Sequence, residues 1–174
     1  MSHQVTPLSA AIGAEFHGAD LSKPIADLDF SEIFDAWVTH LVLLFRDQHL
    51  QDPELAAFSR RFGTLDAAPP NEASNKHNGA FVAGMPEVTV VSNVIQNGVP
   101  IGALGADESS WHTDMSYMPR PPSASILYGL ETPPSGGDAR IRPEGAHASA
   151  QNSRHHRRRV IRRWRSLRVR YSRR

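Results

Sequence analysis

His112 and Asp114, in the stretch Ser110-Trp-His-Thr-Asp-Met-Ser-Tyr117, are the residues whose types and spacing best suit chemistry. Side chains alternate faces along an extended segment, so an imidazole and a carboxylate one residue apart point the same way. Both can reach a single metal ion, and together they make two members of the 2-His-1-carboxylate set that holds Fe(II) in non-heme oxygenases. The pattern is short, and nine His and ten Asp in 174 residues make it easy to meet by chance. A His and an Asp hydrogen-bonded to each other at a strand end would read the same way, so the surrounding elements have to decide.

Those elements are legible from periodicity and punctuation. Val5 to Leu21 reads as short strands and turns. Asp29-Phe-Ser-Glu32 has capping-box spacing, and Ile33, Trp37 and Leu41 follow at helical intervals, which predicts a helix over Phe30 to His40. Phe34 and Trp37 are expected in the core, and Leu41 to Arg46 is expected as a buried strand. Asp52-Pro53 reads as an N-cap with proline at the first helical position, and Leu55, Phe58 and Phe62 share a face. That predicts a second helix over Pro53 to Phe62, stopped by Gly63, with Arg60 and Arg61 on its solvated side.

Residues 66–80, with Pro69-Pro70, are expected to be a loop, as are residues 96–110, which carry three Gly and a Pro. Long loops of this kind often serve as lids or binding loops. Gly102-Ala-Leu-Gly105 fits neither nucleotide-binding fingerprint. Glu87 to Val94 is rich in β-branched residues and predicts a buried strand, and Ser123 to Leu130 predicts another. The coarse picture is mainly β with flanking helices.

Composition narrows the chemistry. The chain has no cysteine, so a metal must be held by His and carboxylate, and a reducing cytoplasm is the expected location. Met1 to Leu21 has no basic stretch followed by an apolar core, so no signal peptide is expected. The longest strongly apolar run, Leu41 to Phe45, is too short to span a bilayer. The net charge of +1 hides two compositions. Residues 1–139 hold six basic and seventeen acidic side chains, whereas residues 140–174 hold thirteen Arg, no Lys and the single acid Glu144. The organisation expected is a domain over residues 5–139 and an Arg-rich, disordered tail over 140–174. Such a tail can neutralise phosphates, which makes nucleic acid or another polyanion a possible partner.

Five segments, in this order and at about this spacing, resemble the TauD/TfdA family of Fe(II)- and 2-oxoglutarate-dependent dioxygenases. They are Ile12-Gly-Ala-Glu-Phe-His-Gly-Ala-Asp-Leu21, Leu44-Phe-Arg-Asp-Gln48, Phe58-Ser-Arg-Arg-Phe-Gly63, Trp111-His-Thr-Asp114 and Pro133-Pro-Ser-Gly-Gly-Asp138. The resemblance, over about residues 5–139, implies a double-stranded β-helix (jelly roll) in which His112 and Asp114 are the first two iron ligands. It also implies Fe(II) as cofactor and 2-oxoglutarate and O₂ as co-substrates. The reaction implied is decarboxylation of 2-oxoglutarate to succinate and CO₂, coupled to hydroxylation of a small organic, often anionic substrate.

The chain also departs from the family pattern. Ala139 stands where the family usually has a Thr that contacts 2-oxoglutarate. Members that act on taurine carry a His and a Tyr where ungapped counting puts Ala68 and Asn71, so taurine is not the expected substrate. Asn71, His77 and Asn93 are candidates for substrate contact as polar residues of the loops and strand ends. Beyond Asp138 the resemblance stops. The third ligand and the Arg that pairs with the 2-oxoglutarate carboxylate are not assigned to any residue, His147, His155 and His156 included. An Arg-only run is what GC-rich DNA yields out of frame, so residues from about 140 are expected to be a frameshift product. The jelly roll is then truncated and the activity impaired.

Overall fold

The computed structural model describes residues 3–66, 81–92, 94–100, 102–104, 119, 122–131, 141 and 170–171. The described residues up to Arg61 belong to one compact unit, and those from Phe62 to Glu131, with Arg170 and Tyr171, to another. Among them are ten strands and two helices, so the described chain is rich in sheet, as the sequence implies.

The first unit is a three-stranded sheet with two helices. Strand β1 (Gln4–Pro7) pairs antiparallel with β2 (Ala14–His17), Val5 opposite Phe16. Helix α1 (Asp27–His40) then carries the chain over to β3 (Leu43–Leu44), which runs parallel to β2 with Ala14 opposite Leu43. A parallel pair needs such a crossover because no tight turn can join its strands. Gly13, at φ 92°, makes the approach to β2. Its N–H donates to the His40 carbonyl at 2.9 Å, which ties β2 to the end of α1.

Helix α1 forms because Ile33, Ala36 and Trp37 recur at helical spacing and are all buried, on a helix that packs against β2 and β3. Asp27 and Asp29 in its first turn and His40 in its last suit the helix dipole. The helix starts three residues earlier than its capping pattern predicts. Ala26 is the N-cap and gives no side-chain cap, so Asp29 and Glu32 lie inside the helix and not at its cap. Glu32 instead accepts a 2.8 Å hydrogen bond at His3 Nδ1, beside β1. The strand expected from Leu41 to Arg46 shrinks to Leu43–Leu44 and is half-buried. Leu41 is consumed as the helix stop: at φ 65° its N–H closes on the Trp37 carbonyl at 2.7 Å.

Helix α2 (Asp52–Arg60) buries Leu55, Ala56, Phe58 and Ser59. Its cap is Gln51, not Asp52; Glu54 reaches back to accept the Gln51 N–H at 2.7 Å, and Pro53 falls one place further into the first turn. The helix ends at Arg60, short of the predicted Phe62. Phe58 meets Phe45 edge-on at a ring separation of 6.0 Å, and Phe45 meets Phe16 at 5.4 Å. This aromatic row joins α2 to the sheet, and edge-on pairs of this kind add about 1 kcal/mol beyond their buried area.

Arg61 does not lie on a solvated face as the sequence suggests. Its Nη1 donates to the Ile25 carbonyl at 2.6 Å and its Nη2 to Asp27 Oδ1 at 2.8 Å, while the guanidinium lies 4.5 Å above the Phe30 ring. It clasps the end of α2 to the start of α1.

The second unit is built on β5 (Met85–Ser92), which follows β4 (Phe81–Val82) through a tight turn at Gly84, φ 78°. Val88, Val90 and Ser92 are buried and the intervening residues half-buried, the alternation of a strand with one face on a core. The stretch 96–110 is not wholly loop. Asn97 and Gly98, both at positive φ, turn β6 (Ile95–Gln96) back on β7 (Val99–Pro100). Strand β8 (Ala103–Leu104) then runs parallel to β5, Val91 opposite Ala103.

Strand β9 (Leu127–Tyr128) is much shorter than the run expected over 123–130. Between β5 and β9 the backbone of Arg170–Tyr171 forms a two-residue strand, β10, parallel to both. No strand was expected in the tail; residues 142–169 and 172–174 lie outside the described residues.

Candidate functional site

The six positions singled out for chemistry or for a departure from the family, His112, Asp114, Asn71, His77, Asn93 and Ala139, all lie outside the described residues. The described structure supplies the elements on either side. Strand β8 ends at Leu104, eight residues before His112, and β9 begins at Leu127, thirteen after Asp114. On either side of Asn93, the buried Ser92 and the half-buried Val94 are joined locally, Ser92 Oγ accepting the Val94 N–H at 3.1 Å.

Gly102, in the Gly-Ala-Leu-Gly stretch, packs against this same Ser92. A Cβ on Gly102 would lie 2.6 Å from the Ser92 amide nitrogen, so only glycine lets the chain entering β8 come this close to β5. That is what Gly102 does in this stretch.

The segments that carry the resemblance in the first unit turn out to be scaffold. Gln48 ties two of them together: its Oε1 accepts the Leu21 N–H at 2.8 Å, and its Nε2 donates to the carbonyls of Ala19 at 3.0 Å and Arg46 at 2.9 Å. Asp20, near the end of the first of them, builds the turn that follows it. Lys23 at 2.7 Å, the Ser22 hydroxyl at 2.6 Å and the Ser22 N–H at 3.1 Å hold its carboxyl down at about 2, and the same pair raises Lys23. Glu15 on β2 faces Arg46 at 3.0 Å and His17 at 3.6 Å. Sequence reading missed the roles of Gln48 and Arg61; the one available signal was that both fall within the segments resembling the family. Among the described residues, no group of three or more His, Asp or Glu side chains is arranged to hold a metal ion.

Comparison with known proteins brings the two units under one description. The model of the family "Taurine catabolism dioxygenase TauD, TfdA family" matches residues 4–174. Pentalenolactone F synthase of Streptomyces avermitilis is 40% identical over 133 residues, 74% of this chain and 40% of that protein. The alpha-ketoglutarate-dependent sulfate ester dioxygenase of Pseudomonas putida is 33% identical over 135 residues, 77% of this chain and 39% of that protein. Among solved structures, a taurine dioxygenase from Burkholderia xenovorans is 35% identical, covers 55% of this chain and 32% of its own, and superposes with a TM-score of 0.46. The chain thus spans about two fifths of the length of the two relatives. With its model matched from residue 4 to residue 174, this chain belongs to the TauD/TfdA family, whose members are Fe(II)- and 2-oxoglutarate-dependent dioxygenases that use O₂.

Proposed function

We propose that the chain carries two of the three iron ligands of a 2-oxoglutarate-dependent hydroxylase, His112 and Asp114, within a jelly roll. One observation carries the reading: a His-x-Asp pair with metal-ligand spacing, inside a chain matched by the family model. The donor chemistry fits, since a neutral imidazole nitrogen and an ionised carboxylate suit Fe(II) and leave adjacent positions open. When bound, the metal would supply O₂ activation coupled to 2-oxoglutarate decarboxylation. The chain's own part is to present the His112 nitrogen and the Asp114 oxygen on one side of the segment and to keep His112 deprotonated. Small organic anions are the substrate class favoured. Several of the relatives, though not pentalenolactone F synthase, are named for sulfate esters, (S)-phenoxypropionate or 2,4-dichlorophenoxyacetate, which are negatively charged compounds. Taurine is not favoured, given Ala68 and Asn71, and Asn71, His77 and Asn93 are the residues proposed to meet substrate.

The family model runs to residue 174, past the Asp138 at which the resemblance is expected to stop; the composition break near residue 140 is what supports a second element, that the tail derives from an out-of-frame gene segment and the polypeptide turns over poorly. The third ligand stays unassigned among His147, His155 and His156, and Ala139 offers no hydroxyl to 2-oxoglutarate. The decisive test has two arms. Anaerobic Fe(II) titration, read by the fluorescence of the adjacent Trp111, should show weak binding that His112→Ala abolishes; binding unchanged by that substitution refutes the ligand assignment. Sequencing across codons 135–145 should show another frame encoding a His and an Arg in family context. Its absence refutes the frameshift.

One specific observation, thirteen Arg against one acid, favours a second reading of the tail as a polyanion-binding segment. It predicts nucleic-acid binding with steep salt dependence that disappears on deleting residues 140–174. No described helix is long and apolar enough to cross a membrane, and a cytoplasmic location is proposed on the cysteine-free composition.

A further inference from the structure

The β6–β7 hairpin carries the dipeptide Asn97-Gly98, which is not among the residues proposed to hold iron or meet substrate. Asn97 and Gly98 are the two loop residues of the hairpin, flanked by the pair Gln96 and Val99. Their φ values, 52° and 79°, are the paired positive angles of a type I′ turn, for which Asn-Gly is the favoured dipeptide. The turn is exposed on every side: residues 95–99 are all at the surface, with Ile95 and Val99 more than half accessible. A Cβ built on Gly98 would meet nothing within 4 Å. Among the described residues, neither the Gly98 N–H nor the Asn97 side chain makes a hydrogen bond.

These observations give an accessible Asn-Gly pair with open space around it, two conditions that favour intramolecular amide attack. We propose that Asn97 is a site of spontaneous deamidation in the folded protein. The Gly98 backbone nitrogen, freed of its proton by solvent base, attacks the Asn97 side-chain carbonyl carbon. The Cγ–N bond breaks, the amide nitrogen leaves as ammonia with a proton from water, and a five-membered succinimide remains. Water then adds to either ring carbonyl and opens the ring to aspartate or to isoaspartate. No oxidant, reductant or co-reactant other than water is needed. Glycine matters because it has no Cβ to obstruct closure, and the surrounding open space leaves room for the ring.

The consequence lies in the hairpin's place in the chain. It occupies the connection between β5 and β8, which pair in parallel with Val91 opposite Ala103. Isoaspartate routes the main chain through the side chain and lengthens it by a methylene, which a two-residue loop cannot absorb in register. The new carboxylate also places charge between the exposed Ile95 and Val99. Conversion therefore loosens the hairpin and the crossover that brings Gly102 against Ser92.

The test uses the full chain, folded, incubated at mildly alkaline pH beside a urea-denatured sample. Cleavage after Glu87 and Glu108 isolates a fragment with Asn97 from the fragment with the other Asn-Gly near it, Asn78-Gly79. Electron-transfer fragmentation then reads the residue modified, and protein isoaspartyl methyltransferase labels the isoaspartate. The expected result is aspartate and isoaspartate at Asn97 in the folded sample, faster as pH rises, with loss of the signal in Asn97→Gln. If Asn97 keeps its amide in the folded sample while the denatured one converts, or if the modified residue proves to be Asn93, the proposal is overturned. The wild-type fragment gives this answer even if the variant misfolds.

Discussion

Gly102 stands so close to Ser92 that a Cβ on it would lie 2.6 Å from the Ser92 amide nitrogen and 2.7 Å from its Cβ. The contact is backbone against backbone, so no flexible side chain can move aside. It locks the start of β8 to the end of β5, and the segment with His112 and Asp114 follows β8 in the chain.

Gly102→Ala should therefore destabilise the protein by about 1–3 kcal/mol, the usual cost of overpacking where neighbours cannot yield. Urea unfolding followed by circular dichroism measures it. An unchanged midpoint would mean that β8 does not press on β5 as described.

Gln48→Glu should cost more than Gln48→Ala. In the substitution to Glu, a carboxylate oxygen replaces the Nε2 that donates to the Ala19 and Arg46 carbonyls, setting acceptor against acceptor. The bond to Ala19 is part-buried and that to Arg46 exposed, so water takes up part of the loss and the cost is about 1 kcal/mol. Thermal unfolding of both variants gives the order, and the reverse order rules out the assigned amide orientation.

Arg61→Ala is expected to cost about 1–2 kcal/mol, from a charge-assisted hydrogen bond to the Ile25 carbonyl and the stacking over Phe30. Asp27→Asn should cost under about 0.5 kcal/mol, because that carboxylate is 98% exposed and solvent screens the pair. Equal losses in chemical denaturation would show that the ion pair, not the carbonyl, holds the clasp.

Asp20 sets a pH dependence whose sign follows from its partners. Its carboxyl sits at about 2 in the fold against an ordinary 3.8. A depressed acid contributes stability that is complete above the ordinary value and is lost as pH falls through the folded one, here between about 4 and 2. Carbon-detected NMR titration should find the Asp20 midpoint low, and Lys23→Met should move it upward. Added salt should do the same, since both side chains are more than half exposed. A midpoint near 3.8 in the wild-type chain would remove Lys23 as its partner.

Local periodicity was legible in the residues themselves. A His and an Asp one apart would share a side if their segment is extended, and the absence of cysteine restricts any metal to these donor types, but positions 112 and 114 lie outside the described residues. Leu55 and Phe58 announce the buried face of α2, and Val88, Val90 and Ser92 alternate as a half-buried strand must. These signals depend only on helix and strand period.

Tertiary structure decided the rest. Asp29 and Glu32 have the spacing of a cap, yet α1 begins before them, because burial of Ile33 and Trp37 and not capping places the helix. Arg61 reads as solvated until Ile25 and Phe30, distant in sequence, come within reach. Gly102 reads as loop until β5 arrives beside it. A sequence lists what each residue is able to do over a few neighbours. Which hydrogen bond or close contact it makes depends on partners brought in by packing of the whole core, and that free energy belongs to no local segment.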